Sequence, residues 1–202
     1  MAEADIDFRF SVGSTYTYLA VMRLPDVEKA TGIRLRWHPF SVRAIMREMN
    51  NSPFANKPVK MAYMWRDIER RAGRYGLPIR VPAPYPLKEF DLANRVAMLS
   101  TREGWCASYV RAAYRRWFQD GLEAGSEPNL SDSLREIGQD PARVVALAGS
   151  GEIGQAYDAA TAEAQRLQVF GAPTFVVGGE RFWGDDRLDD AISWLRHGKV
   201  VA

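Results

Sequence analysis

A serine near the start of the chain is the first candidate for chemistry. Ser14 follows an alternating apolar run, Ile6, Phe8 and Phe10, and precedes a helical pattern. A hydroxyl at this point would lie beside the unpaired N–H groups and positive dipole of a helix N-terminus, which favour a bound anion or thiolate. A serine that only caps the helix would occupy the same position. These residues alone leave both interpretations open.

The composition excludes several classes of site. The chain has 202 residues, of which 47% are apolar and 26% charged, and its net charge of +2 is too small to indicate a nucleic-acid or membrane surface. Cys106 is the only cysteine, which excludes an internal disulfide and a thiolate metal cluster. His38 and His197 stand in no metal-ligand pattern, so we expect no metal site.

The sequence also predicts where the protein works. Its acidic start lacks the apolar region of a signal peptide, and no apolar run approaches the length of a membrane span. We therefore expect a cytoplasmic protein that binds neither nucleic acid nor a membrane.

The elements around Ser14 follow from hydrophobic periodicity. The pattern predicts a strand over 5–11, a helix over 15–31 and a second strand ending at His38-Pro39. Pro25 should kink or break the helix, and Gly32 should end it as the residue after its last turn. A helix that connects two strands in this way favours a parallel pair.

Helical patterns then replace strands until the last part of the chain. Prolines 78, 82, 84 and 86 mark an extended connector. Two short strands joined by Gly178-Gly179 predict a hairpin, and a helix over 185–197 follows. The predicted helices between the second strand and the hairpin are 61–75, 89–101, 105–119, a short helix from the Asp140 cap to Ala148, and 152–168.

Four motifs in this order give a resemblance to a known family. They are Ser14-Thr15-Tyr16-Thr17-Tyr18-Leu19-Ala20, Asn51-Ser52-Pro53 followed by Pro58-Val59-Lys60, Phe170-Gly171-Ala172-Pro173-Thr174, and Phe182-Trp183-Gly184-Asp185-Asp186-Arg187. The chain resembles the 2-hydroxychromene-2-carboxylate isomerases and the related kappa-class glutathione transferases, over nearly its whole length. Their serine motif has proline where this chain has Thr15.

The resemblance implies an α/β thioredoxin-like fold of the DsbA type, ordered β-α-β … α-β-β-α, with a large all-helical insertion. Residues 1–40 and 152–202 would form the thioredoxin-like domain, and residues 41–151 the insertion. Thiol oxidoreductases of this fold carry a CxxC motif where this chain has Ser14 and Thr17. Hydroxyls cannot exchange a disulfide, so dithiol redox chemistry is excluded.

The resemblance also implies a glutathione site. Ser14 would stabilise the glutathione thiolate, Pro173 would be cis and leave the Ala172 backbone free for the cysteinyl unit, and Asp186 would pair with the γ-glutamyl ammonium. The implied cofactor-binding residues are Tyr16, Asn51, Lys60, Ala172, Pro173, Asp185 and Asp186. From residue types alone, Pro173 could begin an ordinary trans turn, the aspartates could cap the last helix, Lys60 could be solvated and Asn51 could belong to a turn.

Three functions remain open at this point. The first is a glutathione-dependent cis–trans isomerase of a small aromatic keto or hydroxy acid, in the breakdown of aromatic compounds. The second is a kappa-like glutathione transferase or peroxidase, which would consume glutathione. The third is a non-catalytic binding protein on a DsbA-like scaffold. The relatives imply a homodimer.

Overall fold

A computed structural model describes residues 5–51, 54 and 56–201 of the chain. The strands are β1 (Asp5–Phe10), β2 (Arg34–Pro39), β3 (Thr174–Val177) and β4 (Glu180–Trp183). The helices are α1 (Thr15–Thr31), α2 (Val42–Glu48), α3 (Pro58–Arg74), α4 (Phe90–Glu103), α5 (Cys106–Arg115), α6 (Asn129–Glu136), α7 (Pro141–Ala148), α8 (Gly151–Arg166) and α9 (Leu188–His197). A π-helical turn, Arg116–Asp120, follows α5, and a 3-10 turn, Asp185–Arg187, precedes α9. Among the described residues, no helix has the length and apolar character needed to cross a membrane.

The four strands form one mixed sheet in the order β2-β1-β3-β4. β1 and β2 are parallel, as predicted, while β3 is antiparallel to both β1 and β4. The rings of Phe8, Phe10, Trp37 and Phe175 pack together on one face of the sheet. This is the thioredoxin-like arrangement with a helical insertion that the motifs indicated.

Arg9 on β1 is more deeply buried than the alternating pattern of a half-buried strand predicts. It lies between Phe8 and Phe10 on the opposite face of the strand, yet its side chain is only 5% exposed. Its Nη2 atom lies 3.9 Å from Oε1 of Glu163 on α8. Alternation alone could not predict this burial, because an arginine between apolar residues usually indicates a face open to water.

α1 continues through Pro25 without a break, so of the predicted kink or break the break does not occur. A proline lacks one helical N–H group and crowds the preceding turn, but tertiary packing can hold such a helix together. Gly32 ends the helix as predicted: its φ is +71°, and its N–H donates to the carbonyl of Glu28 at 2.8 Å.

The proline-rich connector contains neither helix nor strand, and it bends at Val81, Pro82 and Pro86. Trp117 Nε1 donates to the carbonyl of Pro84 at 2.7 Å, and the Tyr18 hydroxyl donates to the carbonyl of Pro78. These bonds give partners to carbonyl groups that no helix or strand of the connector itself supplies.

The turn after β1 is held by the buried side chain of Asn94 on α4. The N–H of Val12 donates to Asn94 Oδ1 at 2.8 Å, and Asn94 Nδ2 donates to the carbonyls of Val12 and Phe90, each at 2.8 Å. Gly13 has φ +116°, and a Cβ atom there would lie 2.7 Å from Phe90 Cδ2, so this position requires glycine. The hydroxyl of Tyr114 on α5 lies 2.9 Å from the carbonyl oxygen of Ser14.

Replacing Asn94 with alanine should strongly destabilise the protein. The variant leaves the buried N–H and carbonyl groups of Val12 without partners, which should lower the free energy of unfolding by about 2–4 kcal/mol. Urea denaturation measures this change. Hydrogen–deuterium exchange should also show faster exchange of the Val12 amide.

Asn129→Ala is the matched control, because Asn129 is equally buried and donates to the carbonyls of Ala113 and Leu122. This variant should be destabilised as well, but without faster exchange at Val12. Equal exchange of Val12 in both variants would contradict the role assigned to Asn94.

Candidate functional site

Ser14 stands at the N-cap position of α1, but its side chain does not cap the helix. Its backbone is extended (φ −79°, ψ 121°), and its hydroxyl donates to the carbonyl of Ala172 at 2.7 Å. Capping, one of the two interpretations left open for this side chain, is therefore wrong. The first N–H groups of α1 keep their positive partial charge beside a hydroxyl that points to the loop before β3.

The loop opposite Ser14 contains the expected cis bond between Ala172 and Pro173. The carbonyl of Pro173 accepts a hydrogen bond from the N–H of Gly184 at 3.0 Å, which ties the loop to the end of β4. The Ala172 carbonyl, which was expected to be free, accepts one hydrogen bond from the Ser14 hydroxyl. A carbonyl oxygen can accept two hydrogen bonds, so it can still accept one from a ligand.

Ser14 and Ala172 lie on the wall of a cavity of about 710 Å³. Tyr16, Asn51 and Lys60 also line it, so the structure brings five of the sequence-predicted site residues together. Pro173, Asp185 and Asp186 are not among the lining residues. Aromatic rings contribute much of the remaining wall: Phe54, Tyr63, Tyr85, Phe90, Phe170 and Trp183.

Tyr16 connects the cavity to a charged cluster outside it. Its hydroxyl donates to Asp67 Oδ2 at 2.9 Å, and burial together with this hydrogen bond raises the pKa of the phenol above its usual range. The guanidinium carbon of Arg71 lies 6.0 Å from the centre of the Tyr16 ring. Asp67 and Arg71 both come from α3 and were not singled out by sequence, because an amphipathic helix rich in arginine does not show which of its charges turn inward.

Arg71 pairs with both aspartates of the predicted site. Its Nη2 lies 2.8 Å from Asp185 Oδ2, and its Nη1 lies 3.6 Å from Asp186 Oδ2. The Asp185 side chain is 1% exposed, and its burial raises the pKa to about 6, an effect that Arg71 opposes without cancelling. Neither aspartate caps α9, as the alternative interpretation proposed, since Arg187 holds the N-cap position.

Lys60 and Asn51 are exposed on the cavity wall. Lys60 lies in the first turn of α3, and its Nζ is 5.5 Å from the centre of the Phe54 ring. The backbone N–H of Asn51 donates to the carbonyl of Met46 at 2.8 Å, which fixes this residue just after α2. Ser52 and Pro53, which complete the Asn51 motif, lie outside the described residues.

The structure gives Thr15 a packing role. Its side chain is buried, and its hydroxyl donates to the sulfur of Met64 at 3.2 Å. The hydroxyl thus ties the first residue of α1 to α3. A proline at this position could not make this contact, because it has no side-chain donor.

The cavity contains no thiol of the protein itself. Cys106, the only cysteine of the chain, is buried at the start of α5 and is not among the cavity-lining residues. Burial raises the pKa of its thiol to about 11, so it remains protonated at neutral pH. The site therefore offers a hydroxyl donor, a helix N-terminus and cationic side chains, but no nucleophilic sulfur of its own.

The raised pKa of Asp185 predicts a pH-dependent contribution to stability. In the unfolded chain an aspartate titrates near pH ~3.9, so between about pH 4 and 6 the folded state holds more protons at this carboxyl. The contribution of Asp185 to stability must then fall as pH rises through this range. The free energy of unfolding of the wild type minus that of Asp185→Asn should decrease by about 3 kcal/mol from pH 3.5 to pH 7.

Urea denaturation at several pH values measures this difference. Asp132→Asn serves as the control, since it removes a carboxylate of α6 that is 46% exposed and does not contact Arg71, and it should follow the wild-type profile. A constant difference between wild type and Asp185→Asn would rule out the buried, protonated carboxyl.

Comparison with known proteins agrees with this geometry. The family model described as a DSBA-like thioredoxin domain matches residues 5–195. A 2-hydroxychromene-2-carboxylate isomerase of Sphingobium xenophagum is 31% identical over 94% of this chain and 97% of its own length. Glutathione S-transferase kappa 1 of Caenorhabditis elegans is 27% identical over 91% of this chain and 87% of its own.

A solved structure supports the same assignment. The structure of a 2-hydroxychromene-2-carboxylate isomerase superimposes with a TM-score of 0.82 at 27% identity, over 91% of this chain and 90% of that one. The chain belongs to the DsbA-like thioredoxin family and, within it, to the 2-hydroxychromene-2-carboxylate isomerases, which are isomerase enzymes.

Proposed function

We propose that the chain is a glutathione-dependent cis–trans isomerase of an aromatic keto or hydroxy acid. The reaction would be of the type that interconverts 2-hydroxychromene-2-carboxylate and trans-o-hydroxybenzylidenepyruvate in the breakdown of aromatic compounds. The observation that carries the proposal is the Ser14 hydroxyl, which lines a large cavity at a helix N-terminus where the protein supplies no thiol. The names of the relatives support the same reaction.

The chemistry of the cavity wall fits glutathione. Ser14 and Ala172 offer a donor and an acceptor for its cysteinyl unit, and Lys60 and Asn51 would hold the glycyl carboxylate and the peptide. Asp186, whose partly exposed side chain lies beside Arg71, would pair with the γ-glutamyl ammonium. When bound, glutathione supplies the thiolate that converts a double bond of the substrate into a rotatable single bond, and it is released unchanged.

Ser14 can favour an anionic sulfur by exchanging one hydrogen bond for a stronger one. Its hydroxyl donates to the neutral carbonyl of Ala172, and rotation of the side chain would turn the same proton toward a ligand. Hydrogen bonds to a charged acceptor are about twice as strong as bonds between neutral groups. The exchange therefore favours a thiolate over a thiol and, together with the N-terminus of α1, should lower the thiol pKa.

The aromatic part of the wall suits an aromatic substrate. Phe54 and Tyr85 meet edge to face with ring centres 5.9 Å apart, and Trp65 packs behind Tyr85 at 6.0 Å. Aromatic rings prefer such edge-to-face and offset contacts, so the wall presents ring faces and edges to a flat guest.

Ser14→Ala should lower the glutathione-dependent rate by about a hundredfold, because the thiolate loses its charged hydrogen bond. The pKa of bound glutathione, followed by thiolate absorbance in the ultraviolet, should rise toward the reference value of about 8.5. Stopped-flow kinetics with and without glutathione measure the rate.

Ser100→Ala is the control. The buried hydroxyl of Ser100 donates to the carbonyl of Ala97 within α4, and Ser100 does not line the cavity, so its removal should leave the thiol pKa and the rate near wild type. Full activity in Ser14→Ala, or a wild-type rate that is independent of glutathione, would refute the proposed mechanism.

A kappa-type glutathione transferase is the second candidate, favoured by the similarity to the kappa transferases. The two functions differ in the fate of glutathione, which an isomerase recycles and a transferase consumes. We expect mass spectrometry after many turnovers to show a product of unchanged mass and an undiminished pool of reduced glutathione. Accumulation of a conjugate or of glutathione disulfide would assign the transferase or peroxidase function instead.

A further inference from the structure

Two arginines on α2 line the cavity one helical turn apart. Arg43 and Arg47 are four residues apart, and side chains at this spacing lie on the same helix face. The Ser41 hydroxyl accepts from the N–H of Ala44 at 3.2 Å, which fixes the start of this short helix. Neither arginine was a candidate from the sequence, since α2 itself was not predicted.

Neither arginine forms an ion pair within the part of the chain that the structure describes, although Asp91 and Glu123 act on the charge of Arg43 from a greater distance. Arg43 donates to the carbonyl of Leu87 at 2.8 Å and lies 4.0 Å from the centre of the Phe90 ring, but neither group is an anion. Arg47 is exposed and has no ion pair within the described part of the chain. Arginines elsewhere meet carboxylates, for example Arg71, Arg116 and Arg143.

The other residues of the cavity wall add to its excess of positive charge. Lys60 on α3 is a third cation on the wall, and no described lining residue is an aspartate or glutamate. Like charges four residues apart on a helix destabilise it slightly, so the pair on α2 costs stability unless an anion binds there. The arrangement indicates a site for an anionic ligand that carries an aromatic body.

We propose that Arg47, with Arg43 held beside it, binds the carboxylate of the substrate and makes the cavity selective for aromatic carboxylic acids. The inference rests on the proposed function, in which Lys60 already takes the glycyl carboxylate of glutathione. The arginine pair belongs to another element, α2, and Arg43 packs on Phe90 of the aromatic wall. Guanidinium groups bind carboxylates through paired hydrogen bonds, which a neutral substrate cannot reproduce.

An equilibrium binding experiment tests the proposal without turnover. Calorimetry with the glutathione-loaded protein would compare trans-cinnamate with its neutral counterpart cinnamamide. The wild type should bind cinnamate at least about tenfold more tightly, and Arg47→Gln should remove most of this preference. Arg47→Lys should retain part of it, since the charge remains while the paired hydrogen bonds are lost.

Arg74→Gln is the control for the loss of one positive charge, because Arg74 is exposed on α3 outside the cavity wall. It should keep the wild-type preference. The affinity of Arg47→Gln for glutathione should equal that of the wild type. A wild type without preference for cinnamate, an unchanged preference in Arg47→Gln, or an equal loss of glutathione affinity would overturn the proposal.

The experiment also separates this inference from the proposed function. If the protein binds cinnamate through Arg47 but shows no glutathione-dependent isomerisation, the carboxylate site is supported and the proposed function is refuted. If the protein is an active isomerase but binds cinnamate equally well without Arg47, the proposed function is supported and the carboxylate site is refuted.

Discussion

The site depends on the pairing of one buried side-chain amide with one backbone unit. After β1 the chain turns inward, and Val12 has no strand beside it to accept and donate hydrogen bonds. Asn94 on α4 supplies both partners, each at 2.8 Å, as a neighbouring strand would. A helix that lies between β2 and β3 in sequence therefore holds the turn that carries Ser14, although Ser14 itself follows β1. Tyr114 on α5 adds a second contact to the same turn.

The site differs from that of a thiol oxidoreductase in the group that stands at the helix N-terminus, which is a hydroxyl here. Ser14 is held at the helix N-terminus, yet its hydroxyl bonds to the loop across the cavity and not to the helix. The helix N-terminus and the donor thus remain available to an anionic ligand. Because the single cysteine is buried elsewhere, a thiol that reacts in this cavity must come from a ligand.

The charged side chains near the site are divided between the cavity wall and its surroundings. Carboxylates near the site face away from the cavity: Asp67 accepts from Tyr16, and Asp185 is buried against Arg71. Cations line the cavity itself, and the two on α2 meet no carboxylate there. Burial of the Asp185 carboxyl opposes its ionisation. The exposed cations of the cavity, in contrast, are accessible to solvent and to ligands. The result is a wall that attracts anions beside a cluster that is neutral or internally paired.

The sequence by itself determined the elements whose signals are local. The limits of α1, the hairpin at Gly178-Gly179 and the order of strands and helices follow from periodicity, cap residues and turn residues, each set within a few positions of the chain. The motif around Ser14 likewise indicated a hydroxyl in place of a redox thiol. The short helices α2 and α6 escaped detection because seven or eight residues carry little periodicity, whereas α7, with eight residues, was predicted from its Asp140-Pro141 cap.

Only the tertiary structure decided which side chains meet in the cavity. Arg43 and Arg47 line it because α2 packs there. The partners of the two buried charges are also distant in sequence: Asp185 meets Arg71, more than a hundred residues away, and Arg9 meets Glu163 on α8. Burial and pairing depend on neighbours distant in sequence. Local patterns indicate the chemistry that a side chain offers, and tertiary packing determines which residues it contacts.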